Sequence, residues 1–271
     1  MANVTRTRET ETLLVLVRKE IVNKEGLVFN TKYEGTPSAG AVKVPVRDGE
    51  VVVAQYDKVT GAPLTQSTTT HKTILIDKDN VVNEMIDGYE AQAVPASLVA
   101  QRVDSGAYSF AITKDAYING MIAKDGTATT LTATTAFKQI LELRTKMKKA
   151  NANTNGAFVK VTSDIYAELL TDPNFIKSGD LSQDMVREGV VGMVAGLYVI
   201  EDNNMGQKNS KDIKMVASHA DYISYIEEFT VPVAVRDLAD GKHVGASVLS
   251  GRAVYGGAIL RPECVLVVTA A

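Results

Sequence analysis

The most regular apolar pattern in the chain runs from Pro95 to Lys124. Val99, Val103, Gly106, Phe110, Thr113, Tyr117 and Met121 recur there at spacings of three and four. That period puts them on one face of a helix. Pro95 is tolerated in a first turn, and Asp125-Gly126 supplies the stop. Such a helix is roughly 40 Å long. Gly106 and Gly120 inside it cost about 1 kcal/mol each against alanine, which close packing of backbone against a sheet would offset.

The pattern switches to alternation on either side. Residues 41–46, with Val42, Val44 and Val46 on one face, 50–56 and 72–77 read as strands. Residues 57–70, with Gly61, Pro63 and a run of Ser and Thr, give them a polar tip. The product is a long two-stranded projection, and such ribbons are marginal in water unless they lie on something. After a threonine-rich link, Thr134 or Thr135 caps a second helix to Lys149, with Phe137, Ile140, Leu141 and Met147 inward. Lys146, Lys148 and Lys149 meet the negative end of its dipole, a better reading than a phosphate or nucleic-acid patch.

The middle reads as strand 157–161, short helix 162–170, a glycine-punctuated loop 172–189, an apolar run closing in strand 197–200, and a turn at 201–204. Beyond it, 212–217 reads as a strand and 221–227 as a short amphipathic segment. Residues 229–235, 243–249, 252–260 and 264–269 are β-rich, punctuated by Asp240-Gly241, Ser250-Gly251 and Arg261-Pro262. If these late strands pair with residues near 80–95 and pack on the long helix, the chain leaves one domain, builds another and returns. Residues 1–40 start polar. A helix over 9–23 competes with a strand at 13–17, and the segment reads equally as a frayed terminus or an arm reaching a neighbouring subunit.

Composition narrows the function more than the fold. The 271 residues, 45% apolar and 23% charged, suffice for a core without staples. A formal charge of −3 gives no electrostatic footprint for nucleic acid. The longest near-apolar run, 190–200, is far short of the roughly 20 residues that span a bilayer. The N-terminus lacks the pattern of a signal peptide, so cytoplasmic synthesis is expected. The single cysteine, Cys264, sits in an apolar stretch and reads as a buried inert thiol.

Candidate chemistry is sparse. His71, His219 and His243 lack metal-site spacing. Gly189-Val190-Val191-Gly192 and Gly256-Gly257 lack the context of a phosphate loop, and no nucleophile elbow is present. Glu201–Asp202 and Glu227–Glu228 could serve as acid/base couples, but adjacent carboxylates in a strand face opposite ways, so solvated surface is the better reading. Only 6% of residues are aromatic and none is tryptophan, which weakens base- or sugar-stacking functions.

A resemblance enters through Ala157-Phe158-Val159-Lys160-Val161-Thr162-Ser163-Asp164-Ile165-Tyr166-Ala167-Glu168-Leu169-Leu170, followed by Asp172-Pro173-Asn174-Phe175. With Val190-Val191-Gly192-Met193-Val194-Ala195-Gly196 and the strand and polar turn after it, this order resembles tailed-bacteriophage major capsid proteins. The resemblance implies the α+β Hong Kong 97-type capsid fold. Its parts would be an N-terminal arm over 1–40, an extended β-loop over 41–78, a peripheral domain with the spine helix over 79–126 and 225–271, and an axial domain over 127–224.

It also implies a non-enzymatic shell subunit without cofactors. Such a subunit forms hexamers and pentamers of an icosahedral head assembled in the bacterial cytoplasm, beside portal and scaffolding proteins and around double-stranded DNA. A genome pumped into the shell needs no basic interior face. No scaffolding-like or cleaved extension stands out, and no lysine–asparagine pair for covalent crosslinks is evident.

On this reading Leu13 and Leu14 of the arm, Tyr56, Lys58, Thr68, Thr69 and Thr70 of the β-loop, and Asp184 and Arg187 of the loop facing the capsomer axis make inter-subunit contacts. The runner-up is an encapsulin-like nanocompartment shell. A hydrolase using Glu201/Asp202 or Glu227/Glu228, and a monomeric β-rich binding module, are the readings from other classes.

Overall fold

The apolar stripe folds as α1, Ala96–Asp125, a helix of 30 residues and hence about 45 Å long. It belongs to a computed structural model that describes residues 21–33, 40–47, 53–62, 69–87, 96–172, 175–177, 190–238 and 241–270. Gly106, Phe110, Tyr117 and Met121 pack inward as the period requires, while Thr113 is exposed. Pro95 and the side chain of Val99 lie outside the described residues. A Cβ on Gly106 would come within 2.9 Å of Val233 Cγ1, so this glycine does buy close helix–sheet approach. Gly120 does not: it is exposed, with nothing within 4 Å of a Cβ built on it.

A second buried face was not expected from the stripe. Asp115, Ile118, Asn119 and Ile122 are also buried, because α1 is wedged between two sheets. The first is three-stranded and antiparallel, ordered β11 (Ile223–Asp237), β12 (Ser247–Ile259), β3 (Lys78–Ile86). The late strands therefore return to pair with residues near 80. Ser250-Gly251 does not break them: β12 runs straight through. Gly251 is required because a Cβ there would meet Val233 Cγ2 at 2.8 Å and Phe110 Cε2 at 2.9 Å. Residues 221–227, read as a short amphipathic segment, belong mostly to a strand. After a single 3-10 turn they open β11.

The second sheet is built from the middle of the chain, in the order β4 (Thr127–Ala128), β13 (Leu266–Thr269), β10 (Lys211–Ser218), β5 (Phe158–Val161), β8 (Leu197–Glu201), β7 (Val190–Val194), β6 (Ile176–Lys177), with β9 (Gln207–Lys208) beside β10. The final strand β13 thus bonds to β10 and β4, away from the other returning strands. Alternation sorts this sheet's side chains. Phe158, Ile200, Val216 and Val267 face α1. Val159, Val161, Val199, Met215 and Leu266 face α2 (Ala136–Lys149) and α3 (Ser163–Leu170). Helices on both faces explain why its strands read as continuous apolar runs.

In α2 the buried side is Ala136, Ile140, Leu143 and Met147, with Leu141 partly exposed. Thr135 occupies the N-cap position without a side-chain cap bond. The orphan N–H of Ala136 donates instead to Glu168 Oε1 of α3 at 2.9 Å.

Strands β1 (Ala41–Arg47) and β2 (Thr69–Leu75) make the expected antiparallel ribbon, pairing Ala41 with Leu75 and Arg47 with Thr69. The strand expected at 50–56 does not form over its described residues 53–56. The ribbon does not stand free at its base. Val44, Ile74 and Ile76 cluster with Ile226 and Val254 of the three-stranded sheet. Gly256 lets the chains touch, since a Cβ on it would lie 2.0 Å from Leu75 O. Gly257 serves a different approach, since a Cβ on it would lie 2.9 Å from Ser224 O and 3.2 Å from Met121 Sδ.

Candidate functional site

The centre of the fold is polar. Lys160, in the four-residue strand β5, points to the α1 side with Phe158, and its side chain has no solvent exposure. A lysine there must use all three donors, and it does. Nζ donates to Asn119 Oδ1 of α1 at 2.8 Å, to Asp202 Oδ2 after β8 at 3.0 Å, and to Asn23 Oδ1. Asn119 Nδ2 donates in turn to Asp202 Oδ2 (3.2 Å) and to Asn204 O (3.1 Å). Asp202 Oδ1 accepts from Asn204 N at 2.7 Å. Asp115 Oδ1 takes the backbone N–H of Asn23 at 2.9 Å and of Val22 at 3.3 Å.

Burial pushes the Lys160 ammonium below its usual pKa, and the Asp202 carboxylate opposes that shift without reversing it. The network fastens the N-terminal segment, α1, β5 and the turn after β8 to one another. Asn30 adds a second fastening, donating from Nδ2 to Ala220 O (2.7 Å) and Ile223 O (3.1 Å). Residues 21–33 therefore bury Val22, Asn23, Leu27, Val28 and Asn30 in the core and form no helix. The rest of the helix expected over 9–23 lies outside the described residues.

The paired carboxylates are not solvated surface as a pair. Asp202 is buried, whereas Glu201 accepts from Ser163 Oγ at the sheet end. Glu227 takes two 2.8 Å bonds from Lys114 Nζ of α1. Burial raises the Glu227 pKa, but Lys114 and the Thr230 hydroxyl outweigh it and the carboxyl ends below its ordinary value. Glu228 Oε1 is buried and finds no hydrogen-bond partner among the described residues. Cys264 is buried, in a 3-10 turn rather than a strand, and burial raises its thiol pKa. Among the described residues no group of three or more His, Cys, Asp or Glu could hold a metal ion, and no helix is long and apolar enough to cross a membrane.

The outer surface carries the other candidate feature. Between β1 and β2 the chain turns at Asp57–Gly61, where Asp57 Oδ1 accepts from Val59 N (2.6 Å) and Thr60 N (3.1 Å). This excursion presents Val53, Tyr56 and Val59 at 95%, 70% and 93% exposure. Tyr56 and Lys58 thus both lie on an exposed turn that mixes apolar and polar side chains. Thr69 and Thr70 are exposed at the ribbon's outer end. Leu13, Leu14, Thr68, Asp184 and Arg187 lie outside the described residues. Sequence reasoning missed Lys160, Asn119, Asn23 and Asp115. The available signal was a charged residue in an otherwise apolar buried strand.

Compared with known families, residues 50–268 match the phage capsid protein family. The chain belongs to that family. It is a structural major capsid protein of a bacteriophage, located in the virion capsid and self-associating there. A search of the curated proteins found no match. Among solved structures, this chain is similar to one from Mycobacterium phage Che8, with 21% identity, 98% of this chain and 97% of that chain covered, and a TM-score of 0.71. It is likewise similar to the capsid of cyanophage P-SCSP1u (14% identity, coverage 99% and 93%, TM-score 0.74). A third is the capsid of an empty GTA particle (11% identity, coverage 99% and 96%, TM-score 0.68). These likenesses carry the fold, and it is the mixed α+β capsid fold expected from the resemblance.

Proposed function

We propose that this capsid protein assembles into hexamers and pentamers that close an icosahedral head around double-stranded DNA, and that it has no catalytic turnover. The observation that carries the reading is the family match over residues 50–268 on a chain whose fold is shared almost end to end with solved phage and GTA capsids. The exposed Val53–Tyr56–Val59 turn supports it, because apolar side chains at such exposure gain free energy only against another molecule.

In this reading residues 1–40 are the arm, 41–78 the extended β-loop, 79–126 with 225–271 the peripheral domain, and 127–224 the axial domain. Tyr56, Lys58 and Thr68–Thr70 contact a neighbour, as do Leu13 and Leu14, while Asp184 and Arg187 lie near the capsomer axis. Identical modest contacts, closed by symmetry, supply the assembly free energy. Portal and scaffolding proteins guide it in the bacterial cytoplasm.

Co-expression with the phage's portal and scaffolding proteins tests this. Particles with fivefold and sixfold clusters and nuclease-protected double-stranded DNA are expected. Particles filled with a protein cargo and lacking a portal would make the chain a nanocompartment shell instead.

A further inference from the structure

We propose that Lys160 and Asn119 are joined by an amide bond formed within each folded subunit, with Asp202 carrying the proton. Three contacts carry the inference. Lys160 Nζ lies 2.8 Å from Oδ1 of the Asn119 carboxamide and 3.0 Å from Asp202 Oδ2. That same Asp202 oxygen lies 3.2 Å from Asn119 Nδ2, the nitrogen that would leave. One carboxyl oxygen therefore touches both the nucleophile and the leaving group, within the reach of general acid–base catalysis.

The surroundings favour the chemistry. Lys160, Asn119 and Asp202 are 0%, 3% and 1% exposed, so packing leaves little room for water to compete at the amide carbon. A desolvated lysine is more readily the neutral, nucleophilic amine, and burial lowers this one's pKa. Holding both groups in contact removes the entropic cost of a bimolecular encounter. Asn23 is the poorer acceptor although Nζ also touches it. Among the described residues its Nδ2 donates to Asp115 O and Asn119 Oδ1, and neither can protonate a departing amine.

The step balances without a co-reactant. A proton passes from Nζ to Asp202, and the amine lone pair attacks Asn119 Cγ. The Cγ–Nδ2 bond then breaks as Asp202 and the nucleophile's second proton convert Nδ2 to an ammonium ion, which carries off the lysine's charge as it leaves. One C–N bond forms, one breaks, and Asp202 ends as it began. Asn119 and Asn204 also line an open cleft of about 520 Å³, through which the ammonium ion can leave. Because both partners are buried within one subunit, the bond ties α1 to β5 of the same chain and does not link neighbours.

Intact-mass spectrometry of denatured particles tests this, and it expects a mass below the sequence mass by one ammonia. Asn119 precedes Gly120, and a succinimide there would lose the same ammonia, so peptide mapping must follow. Trypsin should yield a branched species in which residues 115–124 are attached to 150–177, uncut after Lys160. Lys160→Met keeps the Asn119-Gly120 pair and should restore the full sequence mass. Asp202→Asn should lower the crosslinked fraction at least about tenfold. Unmodified wild-type mass, a linear 115–124 peptide carrying the loss, or ammonia loss persisting in Lys160→Met would each overturn the proposal.

Discussion

Lys160 Nζ stands 3.0 Å from Asp202 Oδ2, and neither side chain has any solvent exposure. Removing one partner of such a pair leaves a buried group without its counter-charge, which costs on the order of 3–5 kcal/mol. Asp202→Ala should therefore lower the stability of the unassembled subunit by at least about that much in urea denaturation, since the variant loses the counter-charge and, with it, the Lys160–Asn119 bond. Replacing both groups, as Lys160→Met with Asp202→Leu, should cost less than the single change. Equal or greater loss in the double variant would mean that the pair is not acting as a unit.

Glu142 gives a pH-dependent contribution. Its Oε2 accepts from Thr132 N (2.9 Å) and Ala133 N (3.1 Å), and Oε1 lies 3.1 Å from Lys146 Nζ. The Thr132 amide first, then Lys146 and the Ala133 amide, lower its pKa from 4.5 to about 2, against some desolvation. A depressed carboxylate stabilises the fold fully above its unfolded pKa and loses that contribution as pH falls through the folded value. The melting-temperature gap between wild type and Glu142→Gln should be constant above about 4.5 and close towards about 2. A gap that widens on acidification would contradict the assignment.

The ribbon is seated through Gly256, where a Cβ would lie 2.0 Å from Leu75 O and 2.7 Å from Ile76 Cα. Backbone cannot yield as a flexible side chain can, so Gly256→Ala should lift β2 off β12. Overpacking of this kind costs roughly 1–3 kcal/mol. Hydrogen exchange should report lost protection in residues 69–76 while β5 and β10 stay protected. Unchanged protection there would show that the ribbon is not held by this contact.

The β7–β8 hairpin turns at Ala195 (φ 50°) and Gly196 (φ 83°). Two positive φ angles in a two-residue hairpin favour Asn-Gly, and alanine in that region is strained by roughly 1–2 kcal/mol. Ala195→Asn should raise stability by up to about 1 kcal/mol, while Gly196→Val should lower it by at least about 1 kcal/mol. Denaturant midpoints with unchanged slopes would check both. A neutral Gly196→Val would be incompatible with this turn.

What the sequence made legible was governed by period and by punctuation of the backbone. The helix at 96–125, the ribbon, the strand at 197–200 and the late return to residues near 80 all follow from local pattern. The misreadings share a cause. Gly251 looks like a turn but is a contact for Val233 and Phe110, which only tertiary packing reveals. The second buried face of α1 is hidden because a helix between two sheets has two apolar sides and one period. Lys160 finds Asn119, Asp202 and Asn23 across 41, 42 and 137 positions of sequence. No local spacing encodes such a meeting. Asp202 was misread as solvated because strand alternation gives opposite faces without saying which face is outside.

The central claim is that this chain is a shell subunit whose ribbon turn meets a neighbour. Cryo-electron microscopy of purified particles tests it most directly. The account predicts closed particles of fivefold and sixfold clusters in which Tyr56 and Val59 are covered by an adjacent subunit. A chain that remains monomeric at every concentration, even with its scaffolding partner, would contradict it.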